Sequence, residues 1–286
     1  MSRRVVLVGT PGPLADGVMA ALVQNNAALV GVAAIGTPPA TPCAGGLAVV
    51  QGDRLSAAAA RAGIPVEWSA SALEAPLLAA IHRFKPSLAV VACLATRLSP
   101  AALASTAEGF WNVHPSALPK HRGPAPMFWQ LRDGDEWGGV SIHRMDARFD
   151  TGPVASSAPV LLPAGIAEPA AQYAAGLKGG ALVASLLRAS EVRWQEQAAA
   201  QATYESHPAG AAAYTFGEDW PVLRAWRFLR GVRWRGQPFR FVSGGQCWVV
   251  REAVDVAPGR RLPCVRQVSE RVLDLPLADG VLRVRR

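Results

Sequence analysis

The feature that most restricts the fold is an alternation, through the first half of the chain, between short continuous apolar runs and helically spaced segments. Arg4 to Gly9, Ala28 to Ile35, Pro65 to Trp68 and Ser87 to Ala92 read as strands. Leu14 to Gln24, Leu55 to Ala62 and Leu73 to Phe84 read as the helices between them. Ser87-Leu-Ala-Val-Val-Ala92 has no polar residue after its first, the pattern of a strand covered on both faces. This alternation predicts a parallel sheet with right-handed crossovers, a doubly wound Rossmann-like α/β domain. Phe110 to Val113 and Gly139 to Met145 are expected as further strands, and Pro169 to Leu187 as a long helix. The Gly179-Gly180 pair inside that helix permits close packing on the sheet.

Residues 189 to 219 are rich in Ala, Gln and Glu with little periodicity and read as a connector. A helix is expected over Trp220 to Arg230, then strands over Pro238 to Val242, Gln246 to Val256 and Val281 to Val284. The chain therefore divides into a catalytic domain with its connector, 1–203, and a small β-rich, OB-like domain, 204–286. The second holds 14 arginines against 8 acidic residues and most of the net charge of +8. Arg224, Arg227, Arg230, Arg233 and Arg235 recur at two- and three-residue steps on or just after one helix, with Trp226 and Trp234 interleaved. Such a stripe suits a polyanionic partner; the competing reading is that these arginines pair with acids of the catalytic domain and merely dock the two domains.

A composition that is 50% hydrophobic and 17% charged excludes disorder for the bulk of the chain. Runs such as Leu88 to Ala95 fall short of the ~20 residues that a membrane-spanning helix requires. With Val5 to Gly9 read as the first strand, no secretory leader is expected. The cysteines Cys43, Cys93, Cys247 and Cys264 are scattered, so neither a disulfide scaffold nor a zinc site is expected, and a reducing cytoplasm is. Gly9-Thr-Pro-Gly12 follows the first strand but lacks the third glycine of a dinucleotide fingerprint, and reads as a tight turn.

Chemistry is concentrated between 111 and 153. Asn112 and His114 lie two apart at the end of an apolar strand and project to one side, where open α/β sheets bind ligands. Asp150 follows another strand and can approach both. Amide, imidazole and carboxylate, with no nucleophilic Ser or Cys in an elbow, suit direct acyl transfer: the amide and ring stabilise an oxyanion while His and Asp move protons. Strand-end Asn and His also serve as structural hydrogen-bonders, and spacing alone does not separate the two roles. Ser116 reads as orienting its loop, and Arg122 with Gly123 as fixing it, contact of Arg122 with an anionic substrate being the alternative. His82 and His121 read as surface histidines, Cys93 as an inert small core residue, and Trp129 as packing. His143 faces either the site or solvent.

Asn-x-His-Pro-Ser-Ala-Leu-Pro-x-x-Arg-Gly-x-x-Pro from Asn112, then Gly-Val-x-x-His-x-Met from Gly139 and Asp150-Thr-Gly152, resembles the signature of the 10-formyltetrahydrofolate-dependent formyltransferases. That family includes methionyl-tRNA formyltransferase and the sugar-nucleotide N-formyltransferases. The resemblance extends over roughly residues 3–200 and more loosely to the C-terminal strands. It implies 10-formyltetrahydrofolate as donor, a primary amine as acceptor, and Asn112, His114 and Asp150 as the catalytic triad, with no metal. It further implies that Ala92, Cys93, Leu94, Arg97 and Leu98 lie in the loop around the pterin. Ser116, Ala117, Leu118, Pro119, Arg122 and Gly123 form the substrate loop. The basic C-terminal domain favours initiator methionyl-tRNA as acceptor. Ala117, where the family usually has Leu, and a short C-terminal region favour a sugar nucleotide or another small amine. Hydrolysis to formate and a non-catalytic binding role complete the alternatives.

Overall fold

A computed structural model describes residues 3–38 and 54–286; Cys43 lies outside the described residues. The chain begins β1 (Val5–Gly9), α1 (Pro13–Gln24), β2 (Leu29–Ile35), α2 (Arg54–Arg61), β3 (Val66–Ser69), α3 (Glu74–Arg83), β4 (Leu88–Val91), α4 (Pro100–Leu103) and β5 (Phe110–His114). It continues with α5 (Pro126–Asp133), β6 (Trp137–Arg144), β7 (Val154–Leu161) and the long α6 (Glu168–Arg188). The strands form one sheet in the order β3-β2-β1-β4-β5-β6-β7. Neighbours from β3 to β5 are parallel, as the strand-helix alternation predicts. β6 runs antiparallel to β5, so the sheet is mixed at this edge, and β7 is a strand the sequence pattern did not reveal. Its burial is irregular, neither a continuous apolar run nor a clean alternation.

The order reverses between β1 and β4, a topological switch point, and the turn after β1 and the loop after β4 lie side by side there, Thr10 N–H donating to the Cys93 carbonyl. One face of the sheet packs Val6, Val8, Ala33, Ala89, Val91 and Phe110 against Leu77 and Ile81 of α3 and Ala102 of α4. On β5, Val113 points between Asn112 and His114 to the opposite side and meets α6. A side chain at Gly179 would place its Cβ 2.4 Å from Val113 and 3.0 Å from Val140, and one at Gly180 would meet α1 at Ala21 and Val18. The glycine pair thus lets α6 lie directly on the strands that carry the candidate site.

The chain forms two compact units: residues 1–123, 139–160 and 172–204, and residues 124–138, 161–171 and 205–286. The second unit takes in α5 and the start of α6 besides the C-terminal stretch. A division at a single point along the chain does not describe it, because Phe128 of α5 packs edge-on against Tyr214 and Phe228 in the aromatic core of that unit. This unit continues with α7 (Gly210–Ala213), β8 (Thr215–Gly217), α8 (Val222–Val232), β9 (Phe239–Ser243) and β10 (Gln246–Val250). It ends with β11 (Glu252–Pro258), β12 (Arg266–Ser269), β13 (Val272–Leu277) and β14 (Gly280–Arg285). The expected single strand 246–256 is two, breaking at Arg251, because Val250 belongs to the sheet β10-β9-β8 and Ala253 to the sheet β11-β14-β13-β12.

The arginine stripe of this unit is internally engaged. Arg224 donates to the Arg132 carbonyl and stacks 3.8 Å over the Trp220 ring, and Arg227 donates to the Gly134 carbonyl. Arg230 lies over Trp226 and Arg233 pairs with Glu252. Arg235 forms a two-pronged pair with the fully buried Glu168, 2.7 and 2.6 Å, which also accepts from Trp234 Nε1 at 2.9 Å. Of the five arginines, Arg224, Arg233 and Arg235 thus meet carboxylates, and Arg227 and Arg230 a carbonyl and a ring.

Candidate active site

β5 presents Asn112 and His114, and the antiparallel register sets His143 of β6 opposite Asn112 and Ser141 opposite His114. Three side chains converge on one oxygen of Asp150: Asn112 Nδ2 donates to Oδ1 at 3.4 Å, and His114 Nδ1 and His143 Nε2 each lie 3.5 Å from it. The second oxygen, Oδ2, accepts the Gly123 N–H at 2.8 Å. Asp150, His114 and His143 are all buried. Asp150 itself has φ +57, in the left-handed region that costs a non-glycine residue energy and is retained where surroundings over-determine it. Gly152 completes the same turn; a Cβ there would sit 1.8 Å from the Arg144 carbonyl oxygen.

His143, whose direction the sequence left open, therefore faces the site. Its Nδ1–H donates to the Arg144 carbonyl at 3.1 Å, leaving Nε2 to accept from Asn112 Nδ2 at 3.0 Å. The signal that finds it is the pairing of β5 with β6, which the linear sequence does not display. Both hydrogens of the Asn112 amide are thus aimed at His143 and Asp150. An incoming oxygen would replace the longer, weaker of these bonds.

His114 Nε2–H donates to the His121 carbonyl at 2.9 Å, so the bare Nδ1 of the neutral ring faces Asp150. Burial pushes the His114 pKa below 6.5, outweighing the attraction of Asp150. Burial alone would push the Asp150 carboxyl up, but the positive charges of His114 and His143 when those rings carry a second proton, together with the Gly123 N–H, hold it down to about 2. At neutral pH the site is a carboxylate beside a neutral imidazole, able to receive one proton between Nδ1 and Oδ1.

The loop from Ser116 to Gly123, the expected substrate loop, is held to β6 beside these groups. Ser116 is fully buried and its hydroxyl donates to the Lys120 carbonyl at 2.7 Å, the orienting role expected of it. Ser141 Oγ donates to the Ser116 carbonyl at 2.8 Å and accepts the Leu118 N–H at 3.1 Å. The Leu118–Pro119 peptide is cis. Ala117 is exposed and lies against Gly139, where an added Cβ would be 2.5 Å from the Ala117 nitrogen. Arg122 uses Nε and Nη2 on Gln197 Oε1, which favours the loop-fixing role over contact with a substrate.

In the loop after β4, Ala92 and Leu98 are buried, Leu94 is half-buried and Arg97 is exposed. Cys93 is exposed, with φ +63, and not the core residue expected, because the chain turns out of the sheet at this position. The Arg97 guanidinium lies 6.0 Å from the centre of the partly exposed Phe149 ring, next to Asp150, which brings this loop to the edge of the catalytic turn. His82 is exposed as expected, whereas His121 is half-buried and its carbonyl serves His114. Trp129 packs on Phe128.

The connector, expected from its lack of periodicity, is bound to the elements around the site. Gln195 pairs with Val154, Trp194 meets Trp111 edge-on at 5.4 Å, and Thr203 holds the backbone of Pro119, His121 and Arg122. No described helix is long and apolar enough to cross a membrane.

Comparison with known proteins adds to this geometry. A family model described as "Formyl transferase" matches residues 2–165. The methionyl-tRNA formyltransferase of Herpetosiphon aurantiacus is 34% identical over 206 residues, 70% of this chain and 65% of that protein. The chain thus spans just under two thirds of that relative. The methionyl-tRNA formyltransferase of Roseiflexus sp. is 28% identical over 279 residues, 91% of this chain and 81% of that protein. Among solved structures, WlaRD, a sugar 3N-formyl transferase crystallised in the presence of dTDP and 5-N-formyl-THF, superposes with a TM-score of 0.65 at 12% identity, over 100% of this chain and 98% of that one. This likeness is one of fold.

Proposed function

This chain belongs to the formyl transferase family, and on that premise we propose that it transfers a formyl group from 10-formyltetrahydrofolate to a primary amine, the aminoacyl group of initiator methionyl-tRNA. The observation that carries the reading is the convergence of Asn112, His114 and His143 on Asp150 Oδ1, at the end of β5 and beside the loop that follows β4. The names of the relatives support the acceptor. A cytoplasmic location goes with this reading.

The donor supplies a formyl group on nitrogen. Ala92, Cys93, Leu94, Arg97 and Leu98 would hold it: their loop offers apolar walls at Leu94 and Leu98 and an exposed cation at Arg97. Asn112 Nδ2 turns from Asp150 to the formyl oxygen as that oxygen gains negative charge. The amine nitrogen bonds to the formyl carbon as the bond from that carbon to the folate nitrogen breaks. The proton released by the amine is received at His114 Nδ1, where Asp150 Oδ1 stabilises the imidazolium and the His121 carbonyl accepts its Nε2–H. It then passes to the leaving folate nitrogen, restoring the neutral ring. Holding amine and formyl group at near-attack distance can contribute about 7–11 kcal/mol to the rate.

A second reading, a small amine such as that of an amino sugar nucleotide, is favoured by the internal engagement of Arg224, Arg227 and Arg235, which leaves that helix few free cations for phosphates. Incubation of the enzyme and formyl donor with charged initiator tRNA, and separately with a panel of amino sugars, decides between them. Formyl-methionyl-tRNA supports the first reading, a formylated sugar the second. Formate alone identifies a hydrolase and contradicts both.

A further inference from the structure

Gln197 lies in the connector, outside every motif discussed above, yet its amide touches both halves of the catalytic turn. Nε2 donates to the Asp150 carbonyl at 2.9 Å and to the Gly152 carbonyl at 2.7 Å. Oε1 accepts from Arg122 Nε at 3.1 Å and Nη2 at 2.7 Å. Both amide hydrogens and the amide oxygen are used, a set that no other side chain of this length reproduces: a carboxylate has no hydrogen for the carbonyls, and an ammonium cannot accept from Arg122.

The two segments so joined are those that set the Asp150 carboxylate. Asp150 sits in a strained left-handed conformation, and the carbonyls Gln197 holds are its own and that of Gly152. On the other side, Asp146 accepts the Arg148 N–H and the Thr151 hydroxyl, closing the preceding part of the turn. Arg122 immediately precedes Gly123, whose N–H binds Asp150 Oδ2. Gln197 therefore ties the backbone bearing the carboxylate to the backbone bearing its donor. The segment itself is fixed by the pairing of Gln195 with Val154 and by Trp194, which lies under the Arg144 guanidinium at 4.6 Å.

We infer that Gln197 is a positioning residue for formyl transfer, holding the Asp150 turn and the Arg122–Gly123 loop in mutual register. The inference rests on the proposed function for its effect on rate, and on geometry alone for its effect on the turn. Without the amide, the Asp150 peptide relaxes from its strained conformation and the carboxylate shifts relative to His114 Nδ1. Displacements near 1 Å at a reacting group cost about 100-fold in rate.

The test uses the full chain with Gln197→Ala and Gln197→Glu. Formyl transfer is measured per active site, and exchange of the Gly123 amide hydrogen is followed alongside. The expected result is a kcat lower by about 10- to 100-fold, with the KM for the formyl donor within about 3-fold of the parent. Gly123 should exchange at least about 10-fold faster in both variants, because the bond to Asp150 Oδ2 is loosened. Gln197→Glu keeps Arg122 as partner but should not rescue kcat. Unchanged Gly123 protection, unchanged kcat, rescue by Gln197→Glu, or a loss explained wholly by a smaller folded fraction would each overturn the inference. If the parent enzyme formylates no amine, the functional reading falls, and the Gly123 comparison still decides the positioning role.

Discussion

Asn112 Nδ2 donates to His143 Nε2 across 3.0 Å, joining two residues that the β5–β6 register sets directly opposite one another. His143 thereby fixes which way the Asn112 amide faces, and with it the direction of the hydrogens it offers to Asp150 Oδ1. His143→Ala should lower kcat by about 10-fold with the protein still folded, as expected when a supporting hydrogen bond is removed from a reacting group. His143→Gln, which keeps an acceptor, should recover part of it. Steady-state formyl transfer checks this; parent-like rates for His143→Ala would show that Asn112 orients without it.

Acid should weaken the enzyme in two stages. Unfolded His114 binds a proton near 6.5, and the folded ring binds it lower because burial outweighs Asp150. Between those values the unfolded chain holds more protons, so this contribution is complete above 6.5 and is lost as pH falls through the folded value. Asp150 titrates at about 2 when folded against 3.8 ordinarily, so its contribution is complete above 3.8 and is lost toward 2. Thermal unfolding across this range should show both stages, His114→Gln lacking the upper and Asp150→Asn the lower. The rate should rise with pH along a limb below 6.5, where His114 becomes neutral. A rate that falls as pH rises through this range would mean the protonated ring is the active form, and a rising limb at or above 6.5 would contradict the lowering by burial.

The arginines of α8 and the turn after it are expected to govern stability. Arg235→Ala would leave the Glu168 carboxylate buried without its guanidinium, a change that costs roughly 3–5 kcal/mol. By contrast, Arg251, Arg271 and Arg286 are exposed at one end of the sheet β11-β14-β13-β12, where the Arg251 N–H donates to the Arg285 carbonyl and the Arg286 N–H to the Arg271 carbonyl. If tRNA is the acceptor, Arg271→Glu with Arg286→Glu should weaken its binding and flatten the salt dependence, whereas Arg230→Glu should do little. tRNA affinity at several salt concentrations separates these outcomes.

Much of this was legible in the residues. The apolar runs at Val5–Gly9 and Leu88–Val91 and the Gly179-Gly180 pair marked the sheet and the helix laid on it, because burial on both faces leaves little compositional freedom. Asn112, His114 and Asp150 stood out through their motif. His143 did not, since period-2 alternation gives two faces but not which one is lined by the neighbouring strand. Gln197 did not, because its partners are backbone carbonyls and one arginine 75 residues away, which leave no local pattern. The engagement of Arg224, Arg227 and Arg235 was not legible either, because helical spacing reports alignment and not whether acids and carbonyls already occupy the aligned groups.

Ala117 offers a test of the loop beside His114. It is exposed, so Ala117→Leu should change stability by no more than about 0.5 kcal/mol. It should change the KM for donor or acceptor by about 3-fold, because the loop it occupies borders His114 and Gly123. Several kcal/mol of destabilisation with unchanged kinetics would identify a packed position instead.

The central claim is that the carboxylate of Asp150, with Asn112 and His114 gathered on it, drives transfer of a formyl group to an amine. Its most direct test is single-turnover transfer from labelled 10-formyltetrahydrofolate to amine acceptor, comparing the parent with Asn112→Ala, His114→Ala and Asp150→Asn. Label should appear on the amine with the parent enzyme, with a loss on the order of 100-fold or more in each folded variant. Label appearing at the parent rate with Asp150→Asn would contradict it.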